Sequence, residues 1–240
     1  MIYLVIPIFN EELNVPNLAK ELLVFPFNEE IFFVFSDDGS TDKSVELLKL
    51  HFPSNNTVVL GDGINKGPGY AFNQAFNWVI EHSRNSADTL VTLEADCTSD
   101  VEILQTMLTI NKLGYDLILA SVYAQGGGFG TTSFLRKFIS SIANLLYRFL
   151  FNVRVQTISS FYRVYSVSLL KRIKEKNGDC IKETGFICML EILMKSISCN
   201  AKIIEVPMVL NSKKRIGKSK MKIIKTTLQY LNFLISTKLK

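Results

Sequence analysis

Apolar runs, polar loops and amphipathic stretches alternate along the first 110 residues, and this order constrains the fold more than any other feature of the chain. The apolar runs are rich in β-branched and aromatic residues and cover residues 2–7, 30–36, 58–60 and 90–93. Apolar residues at helical spacing follow at 15–23 and 45–50, and again through 75–79. Strands that alternate with helices predict a parallel sheet. We therefore expect an α/β fold, with a central, mostly parallel sheet and helices on both faces.

Turn and capping residues stand at the boundaries of these elements. Asn14 or a neighbour is expected to cap the first helix, and Pro16 fits its first turn. Gly39 permits a tight turn after the second strand, and one of residues 40–42 is expected to cap the second helix. A glycine-rich loop at 65–71 is expected to open the third helix.

Acidic residues follow three of the predicted strands. They are Glu11, Asp37 with Asp38, and Glu94 with Asp96. Because parallel strands place their C-terminal ends on one edge of the sheet, these loops are expected to form one site. Glu94 and Asp96 occupy alternate positions of an extended segment, so both carboxylates can bind one hard cation that also contacts a diphosphate. The alternative is a solvated loop after a strand.

No GxGxxG sequence follows the first strand, so the usual dinucleotide-binding pattern is missing. Carboxylates repel a bare phosphate. Either a metal ion separates the two, or the acidic residues face a base and a ribose. Both arrangements suit a sugar nucleotide.

The second half of the chain contains two predicted strands and several apolar segments. The strands cover residues 116–121 and 203–209. A glycine cluster at 123–130 is expected to be a mobile loop or a linker, and an apolar helix at 184–196 carries Glu191, an acid that needs a partner. A helix at 133–152, with cations among its aromatics, either packs in the core or lies in a bilayer interface.

The charge of the chain is concentrated at its C-terminus. The formal net charge is +5 over 240 residues, and residues 211–240 contain many lysines and one arginine without any acid. Such a tail favours anionic partners, and its amphipathic helix is expected either to contact anionic lipid or to pack on the domain. No apolar run reaches the length of a membrane span, so a cytoplasmic location is expected, with the four cysteines reduced.

Several motifs, in order, resemble glycosyltransferase family 2, the inverting GT-A enzymes, and within it the polyprenyl-phosphate glycosyltransferase branch that includes dolichyl-phosphate mannose synthases. The resemblance covers nearly the whole chain. It rests on residues 5–12, 37–42, 65–67 and 94–96, Arg136 with Ser140, Ser160 with Arg163 and Tyr165, residues 185–186 with Glu191, residues 205–207, and Arg215 with Gly217, Ser219 and Lys220.

The resemblance implies a role for each group of residues. The base and ribose pocket of a nucleotide-sugar donor would be lined by Pro7, Phe9, Glu11 and Asp37, with Asp38 and Lys66 close by. Glu94 and Asp96 would hold Mg²⁺ or Mn²⁺ on the diphosphate. Arg136 and Ser140 would bind an acceptor lipid phosphate, with Arg163 also on the substrate side. Arg215 and Lys218 would neutralise the leaving diphosphate, which makes Asp96, Arg136 and Arg215 the expected catalytic residues.

The sequence departs from the family pattern at a few positions. Glu94 replaces the usual aspartate, Val122 stands where the branch has an arginine, and Thr157 and Phe161 replace aspartate and glycine. The acceptor side has therefore diverged more than the donor side. A transferase acting on a hydroxyl acceptor, with Asp96 or Glu191 as base, and a catalytically weak nucleotide-sugar-binding protein remain as alternatives. A nucleic-acid partner is not expected, because the tail offers no base-stacking platform.

The expected organisation is one catalytic domain with a short appendage. Residues 1–212 would form the GT-A domain, with a nucleotide-sugar-binding half at 1–120 and an acceptor half at 121–212. Residues 213–240 would form a basic loop and an amphipathic helix. The expected partners are a GDP- or UDP-sugar, a lipid phosphate or lipid-linked acceptor, and a membrane surface contacted peripherally.

Overall fold

The computed structural model of the chain describes residues 1–130 and 155–217, together with Thr226, Gln229, Tyr230 and Phe233. The strands are β1 (Ile2–Ile8), β2 (Ile31–Asp37), β3 (Thr57–Leu60), β4 (Thr89–Thr92), β5 (Leu117–Ser121), β6 (Gly128–Phe129), β7 (Arg163–Ser166), β8 (Ile203–Pro207) and β9 (Val209–Leu210). The helices are α1 (Val15–Val24), α2 (Ser44–His51), α3 (Pro68–His82), α4 (Leu104–Lys112), α5 (Val167–Asn177) and α6 (Cys188–Ser198), and 3₁₀ turns lie at Ser54–Asn56 and Val101–Ile103.

A seven-stranded sheet runs through the described part of the chain in the order β3-β2-β1-β4-β7-β5-β8. Strand β7 is antiparallel to both of its neighbours, and the other pairs are parallel. The predicted α/β fold with a mostly parallel sheet is therefore confirmed. The sequence did not reveal β7, which has only four residues and places Arg163 in the sheet.

Both faces of the sheet are covered by helices, as predicted. Along β1, Tyr3 and Val5 point into a core formed with α3, α5 and α6, whereas Leu4 and Ile6 point into a second core formed with α1, α2 and α4. This alternation follows from the two-residue period of a strand. The parallel strands thus end at one edge of the sheet, where the loops that follow them lie.

Several element boundaries differ from the sequence predictions. The fourth strand ends at Thr92, so Glu94 lies in an irregular segment beyond it and Asp96 in the turn that follows, instead of both in an extended segment. The helix predicted at 184–196 begins at Cys188. The glycine cluster contains β6, which pairs in parallel with β9. The helix predicted at 133–152 lies outside the described residues.

Four described residues of the C-terminal segment are helical and contact the domain. Tyr230 and Phe233 pack against the core that contains α3, and the carboxamide of Gln229 lies against Gly185. Their spacing, together with buried Thr226, is that of one helix face. Of the two alternatives for this helix, packing on the domain therefore holds at these positions.

Candidate active site

The loops after β1 and β2 are joined by hydrogen bonds between side chains and backbone. Asn10, in a left-handed conformation with φ of 53°, donates its N–H to Ser40 Oγ at 2.9 Å and accepts from Thr41 N at 2.8 Å. Glu11 N donates to Ser44 Oγ at 2.7 Å. These bonds fix the two loops as one unit at the C-terminal edge of the sheet. The half-buried side chains of Pro7, Phe9, Glu11 and Asp37 are all brought to this edge.

Asp38 holds the loop that precedes α3. Its buried carboxylate accepts hydrogen bonds from Lys66 N at 2.7 Å and Gly67 N at 2.9 Å. Burial raises its pKa, and these two backbone donors oppose the increase. Gly39 beside it has φ of 73°, and a Cβ there would lie 2.6 Å from Asn65 N, so this approach of the two loops requires glycine.

The ammonium group of Lys66 is directed toward its own loop. Its Nζ forms an ion pair with Asp62 and lies 3.2 Å from Tyr70 Oη, 4.3 Å from the centre of that ring. The side chain is exposed. The predicted contact of Lys66 with a donor therefore requires the ion pair with Asp62 to open, and it stays a prediction.

Glu94 and Asp96 form the acidic centre of this edge. Ser99 Oγ donates to Glu94 Oε2 at 2.7 Å, and Thr98 donates to Asp96 Oδ1 through its N–H at 3.0 Å and its hydroxyl at 2.7 Å. The residue between Asp96 and Thr98, Cys97, has φ of 57°. A tight turn thus presents both carboxylates at the end of β4, with one oxygen of each already oriented by a hydroxyl group.

Arg215 lies directly on Asp96. Its Nε is 2.6 Å from Asp96 Oδ2, and its Nη2 also donates to that oxygen. The two residues are 119 positions apart in the chain. The guanidinium of Arg215 is therefore bound to Asp96, a carboxylate that the sequence analysis assigned to a metal ion.

The electrostatics of the acidic centre favour a cation. Burial, followed by the charge of Asp96, raises the pKa of Glu94 to about 7. A divalent cation beside Glu94 would favour the ionised form of this carboxyl group. No cluster of three metal-binding side chains occurs among the described residues. Two carboxylates with substrate phosphate oxygens are nevertheless a usual Mg²⁺ site, so the residues present fit a divalent ion.

The basic loop, defined here as residues 211–217, is fastened at three places. Asn211 N donates to Thr98 O at 3.0 Å, and Lys214 Nζ forms an ion pair with Glu21 at 2.9 Å. Ile216 exchanges two hydrogen bonds with the side chain of Asn14, at 2.9 and 3.1 Å. These contacts, together with that of Arg215, place the loop over the acidic centre.

Arg163, predicted on the substrate side, is completely buried. Its guanidinium donates to the carbonyl oxygens of Ser160 at 2.7 Å, Met189 at 2.8 Å and Ile158 at 2.9 Å. These contacts hold the backbone that leads into β7, and the side chain has no exposed surface for a ligand. The structure thus gives Arg163 a set of backbone partners in the interior, and a direct contact with substrate stays a prediction.

Two acids in the second half of the chain also stabilise backbone. Glu191 accepts from Lys182 N and Glu183 N at 2.8–3.0 Å and pairs with Lys195 Nζ at 2.6 Å, which supplies the partner that its burial demands. Glu205 accepts from Gln156 N and Thr157 N, both at 2.8 Å. Arg136, Ser140 and Lys218, three of the predicted site residues, lie outside the described residues.

The sequence prediction missed one residue of this edge, Asn14. It stands at the N-cap of α1, where an asparagine normally satisfies helix N–H groups, but its side chain makes no capping bond. An asparagine at a cap predicts the local bond, and nothing in the sequence signals a partner 202 positions away.

Solved structures identify the class of this fold. The chain superposes on glucosyl-3-phosphoglycerate synthase from Mycobacterium tuberculosis, solved with Mn²⁺, UDP and glucosyl-3-phosphoglycerate, with a TM-score of 0.68 and 14% identity. The match covers 100% of this chain and 78% of the other. The sheet with its acidic edge is therefore a GT-A glycosyltransferase fold.

The family follows from the sequence comparison. The model of glycosyl transferase family 2 matches residues 3–174, and the chain belongs to this family and is a glycosyltransferase. It is 27% identical over 220 residues to the polyprenol monophosphomannose synthase of Mycolicibacterium smegmatis, covering 90% of this chain and 79% of the relative. It is 26% identical over 218 residues to the undecaprenyl-phosphate mannosyltransferase of Micrococcus luteus, covering 90% and 86%.

Proposed function

We propose that the chain transfers one sugar from a nucleotide-sugar donor to a polyprenyl phosphate, with inversion at the anomeric carbon and with Mg²⁺ or Mn²⁺ bound. The names of the two relatives point to a polyprenyl-phosphate acceptor. The observation that carries the proposal is the acidic centre, in which Glu94 and Asp96 lie at the end of β4 and Asp96 pairs with Arg215.

The donor's base and ribose are assigned to the joined loops after β1 and β2. Pro7 and Phe9 offer apolar surface there, and Glu11 and Asp37 offer acceptors for hydroxyl or base N–H groups. The neighbouring residue Asp38 acts indirectly, because its carboxylate is engaged by the 66–67 backbone. Asp38 would therefore shape the donor pocket by holding the 66–67 backbone beside it.

The diphosphate is assigned to the acidic centre. Glu94 and Asp96 would hold the divalent ion, which would neutralise charge on the diphosphate as it leaves. The related synthase solved with Mn²⁺ supports the use of such an ion in this fold. Arg215 is within reach of the same place and would donate to the diphosphate, with Lys218 as a second cation from the same segment.

The acceptor phosphate needs no general base, because it is already anionic at neutral pH. One of its oxygens forms the bond to the anomeric carbon, while the bond from that carbon to the diphosphate breaks and the electron pair leaves with the nucleotide. Attack from the face opposite the leaving group inverts the configuration. What the protein must supply is cations that place the phosphate in line, a role expected for Arg136 with Ser140.

A hydroxyl acceptor is the second candidate, and one observation favours it. Val122, where the branch has an arginine, packs against the core that contains α1, so it offers no charge to a phosphate. A hydroxyl acceptor requires a base, however. Glu191 is engaged by two N–H groups and Lys195, and Asp96 by Thr98 and Arg215. The absence of an unengaged carboxylate at these two predicted base positions supports the phosphate acceptor.

Contact with the membrane is proposed to be peripheral. Among the described residues, no helix has the length and hydropathy that crossing a bilayer requires. The lipid acceptor nevertheless has to be reached at a membrane surface. The lysines of the C-terminal segment are suited to anionic head groups, and the cytoplasmic face of the cell membrane is the proposed location.

The proposal is tested by incubating the purified protein with GDP- and UDP-sugars and undecaprenyl or dolichyl phosphate in detergent, with Mg²⁺, Mn²⁺ or EDTA. We expect one donor to give a glycosylated lipid only with metal, and Asp96→Asn to abolish it. Asp100→Asn is the matched control, because Asp100 lies in the same segment and its side chain caps the turn by accepting from Glu102 N. Donor binding without transfer to any lipid phosphate would contradict the proposal and favour a binding protein.

A further inference from the structure

Asn14 has an arrangement that its position at a helix N-terminus does not explain. Only 3% of its surface is exposed, and its carboxamide turns away from the helix that it precedes. The Oδ1 atom accepts from Ile216 N at 2.9 Å, and Nδ2 donates to Ile216 O at 3.1 Å. Nδ2 also donates to Glu11 Oε2 at 2.6 Å. One side chain thus pairs with both polar backbone groups of a residue in the basic loop.

This pairing acts on the backbone next to Arg215. The side chain of Ile216 is 45% exposed, so apolar packing contributes little to holding this part of the loop. The other nearby fastening, from Lys214 to Glu21, is a partly exposed ion pair, a kind of contact that stabilises little. Of these nearby contacts, the two hydrogen bonds between Asn14 and Ile216 are therefore the stronger constraint on the backbone that carries Arg215, whose guanidinium also contacts Asp96.

The same carboxamide connects the loop to the donor pocket. Glu11, one of the residues assigned to the base and ribose, is the third partner of Asn14. Glu11, Asn14 and Ile216 form a continuous chain of hydrogen bonds, and Arg215, the residue before Ile216, contacts Asp96. A shift of the loop after β1 would consequently move the guanidinium of Arg215.

We propose that Asn14 is a positioning residue for Arg215. It holds the backbone of Ile216 so that the guanidinium remains over the acidic centre, where it contacts Asp96 in the free protein and the diphosphate when a donor is bound. The second part of this statement rests on the proposed function. Asn14 itself does not contact the reacting atoms.

Hydrogen exchange tests the positioning without any need for activity. In Asn14→Ala, the peptide that covers residues 211–217 should exchange roughly tenfold faster or more, because the Ile216 N–H loses its acceptor. Asn14→Asp keeps the acceptor but loses both N–H donors, and it should also accelerate exchange. Asn17→Ala, an exposed position on the same helix, is the matched control and should leave the peptide unchanged. Unchanged exchange in both Asn14 variants, with intact melting curves, would overturn the proposal.

A double-variant comparison separates positioning from simple destabilisation. If Asn14 acts through Arg215, Asn14→Ala should weaken donor binding roughly tenfold in the wild-type background and by less than about twofold in the Arg215→Ala background. Equal losses in both backgrounds would overturn the proposal. If the wild-type protein shows no transfer activity, that result contradicts the proposed function but not the positioning role of Asn14. The exchange experiment still reports on the contact between Asn14 and the basic loop.

Discussion

Replacing Arg215 should have opposite effects on the binding of metal and of donor. In the free protein, Arg215 donates two hydrogen bonds to one oxygen of Asp96, and a divalent ion has to displace it. Hydrogen bonds to charged groups contribute about 1.5–3 kcal/mol, and partial exposure of this pair favours the lower end. At about 1.5 kcal/mol, only about one molecule in ten has Asp96 open, so the apparent metal affinity is about tenfold weaker than the intrinsic one.

Arg215→Ala should therefore bind Mn²⁺ about tenfold more tightly than the wild type in the absence of nucleotide. Titration of free Mn²⁺ followed by electron paramagnetic resonance measures this directly. With metal saturating, the same variant should bind the donor roughly tenfold more weakly, because the diphosphate loses a charged donor. Arg172→Ala, which removes an exposed ion pair with Asp116, is the control and should change neither value. Unchanged or weaker Mn²⁺ binding in Arg215→Ala would refute the competition between guanidinium and metal.

Three further predictions concern stability. Gly69→Ala should lower the unfolding free energy by about 1–3 kcal/mol in urea titrations, because its Cβ would lie 1.9 Å from Glu183 O. Gly128→Ala adds a methyl group in open space, and an equal loss there would argue against the steric cause. Arg163→Met should lower the unfolding free energy by about 2–4 kcal/mol, because three carbonyl oxygens lose their hydrogen-bond donor. A change below about 0.5 kcal/mol would show that these oxygens find other donors. Without metal, stability should decrease as the pH rises from 4.5 to about 7, because folded Glu94 binds its proton more tightly than the unfolded chain does. The limiting slope is about 1.4 kcal/mol per pH unit, and Glu94→Gln should remove it; persistence of the slope would assign it to another group.

The fold was largely predictable, because four of its strands are continuous apolar runs followed by polar loops. Strand β7 was not, since it has four residues and contains Arg163, a residue that sequence patterns place at the surface. Its guanidinium is accommodated because three carbonyl oxygens converge on it, those of Ile158 and Ser160 from the preceding segment and that of Met189 from α6. The contact with Met189, 26 positions away, depends on tertiary structure and has no local signal.

The acidic centre was also predictable, but the contact of Arg215 with Asp96 and the raised pKa of Glu94 were not. The spacing of Glu94 and Asp96 indicated a cation site, and the basic tail indicated an anion-binding segment. That Arg215 would occupy Asp96, and that burial would raise the pKa of Glu94, depends on which atoms approach after folding. Asn14, at the start of a helix, can either cap that helix or bond to another segment. The position of the basic loop decides in favour of the second.

The most direct test of the central claim compares two acceptors that differ by one group. Purified protein, the donor identified by the panel and Mn²⁺ are incubated with a polyprenyl phosphate or with the corresponding polyprenol, and the lipid products are analysed by mass spectrometry. Our account predicts a glycosyl phosphate diester with inverted anomeric configuration from the phosphate and no product from the alcohol, because Glu191 is engaged by backbone N–H groups and Lys195, and Asp96 would be engaged by the metal ion. Transfer to the polyprenol at a comparable rate, or retention of configuration, would contradict it.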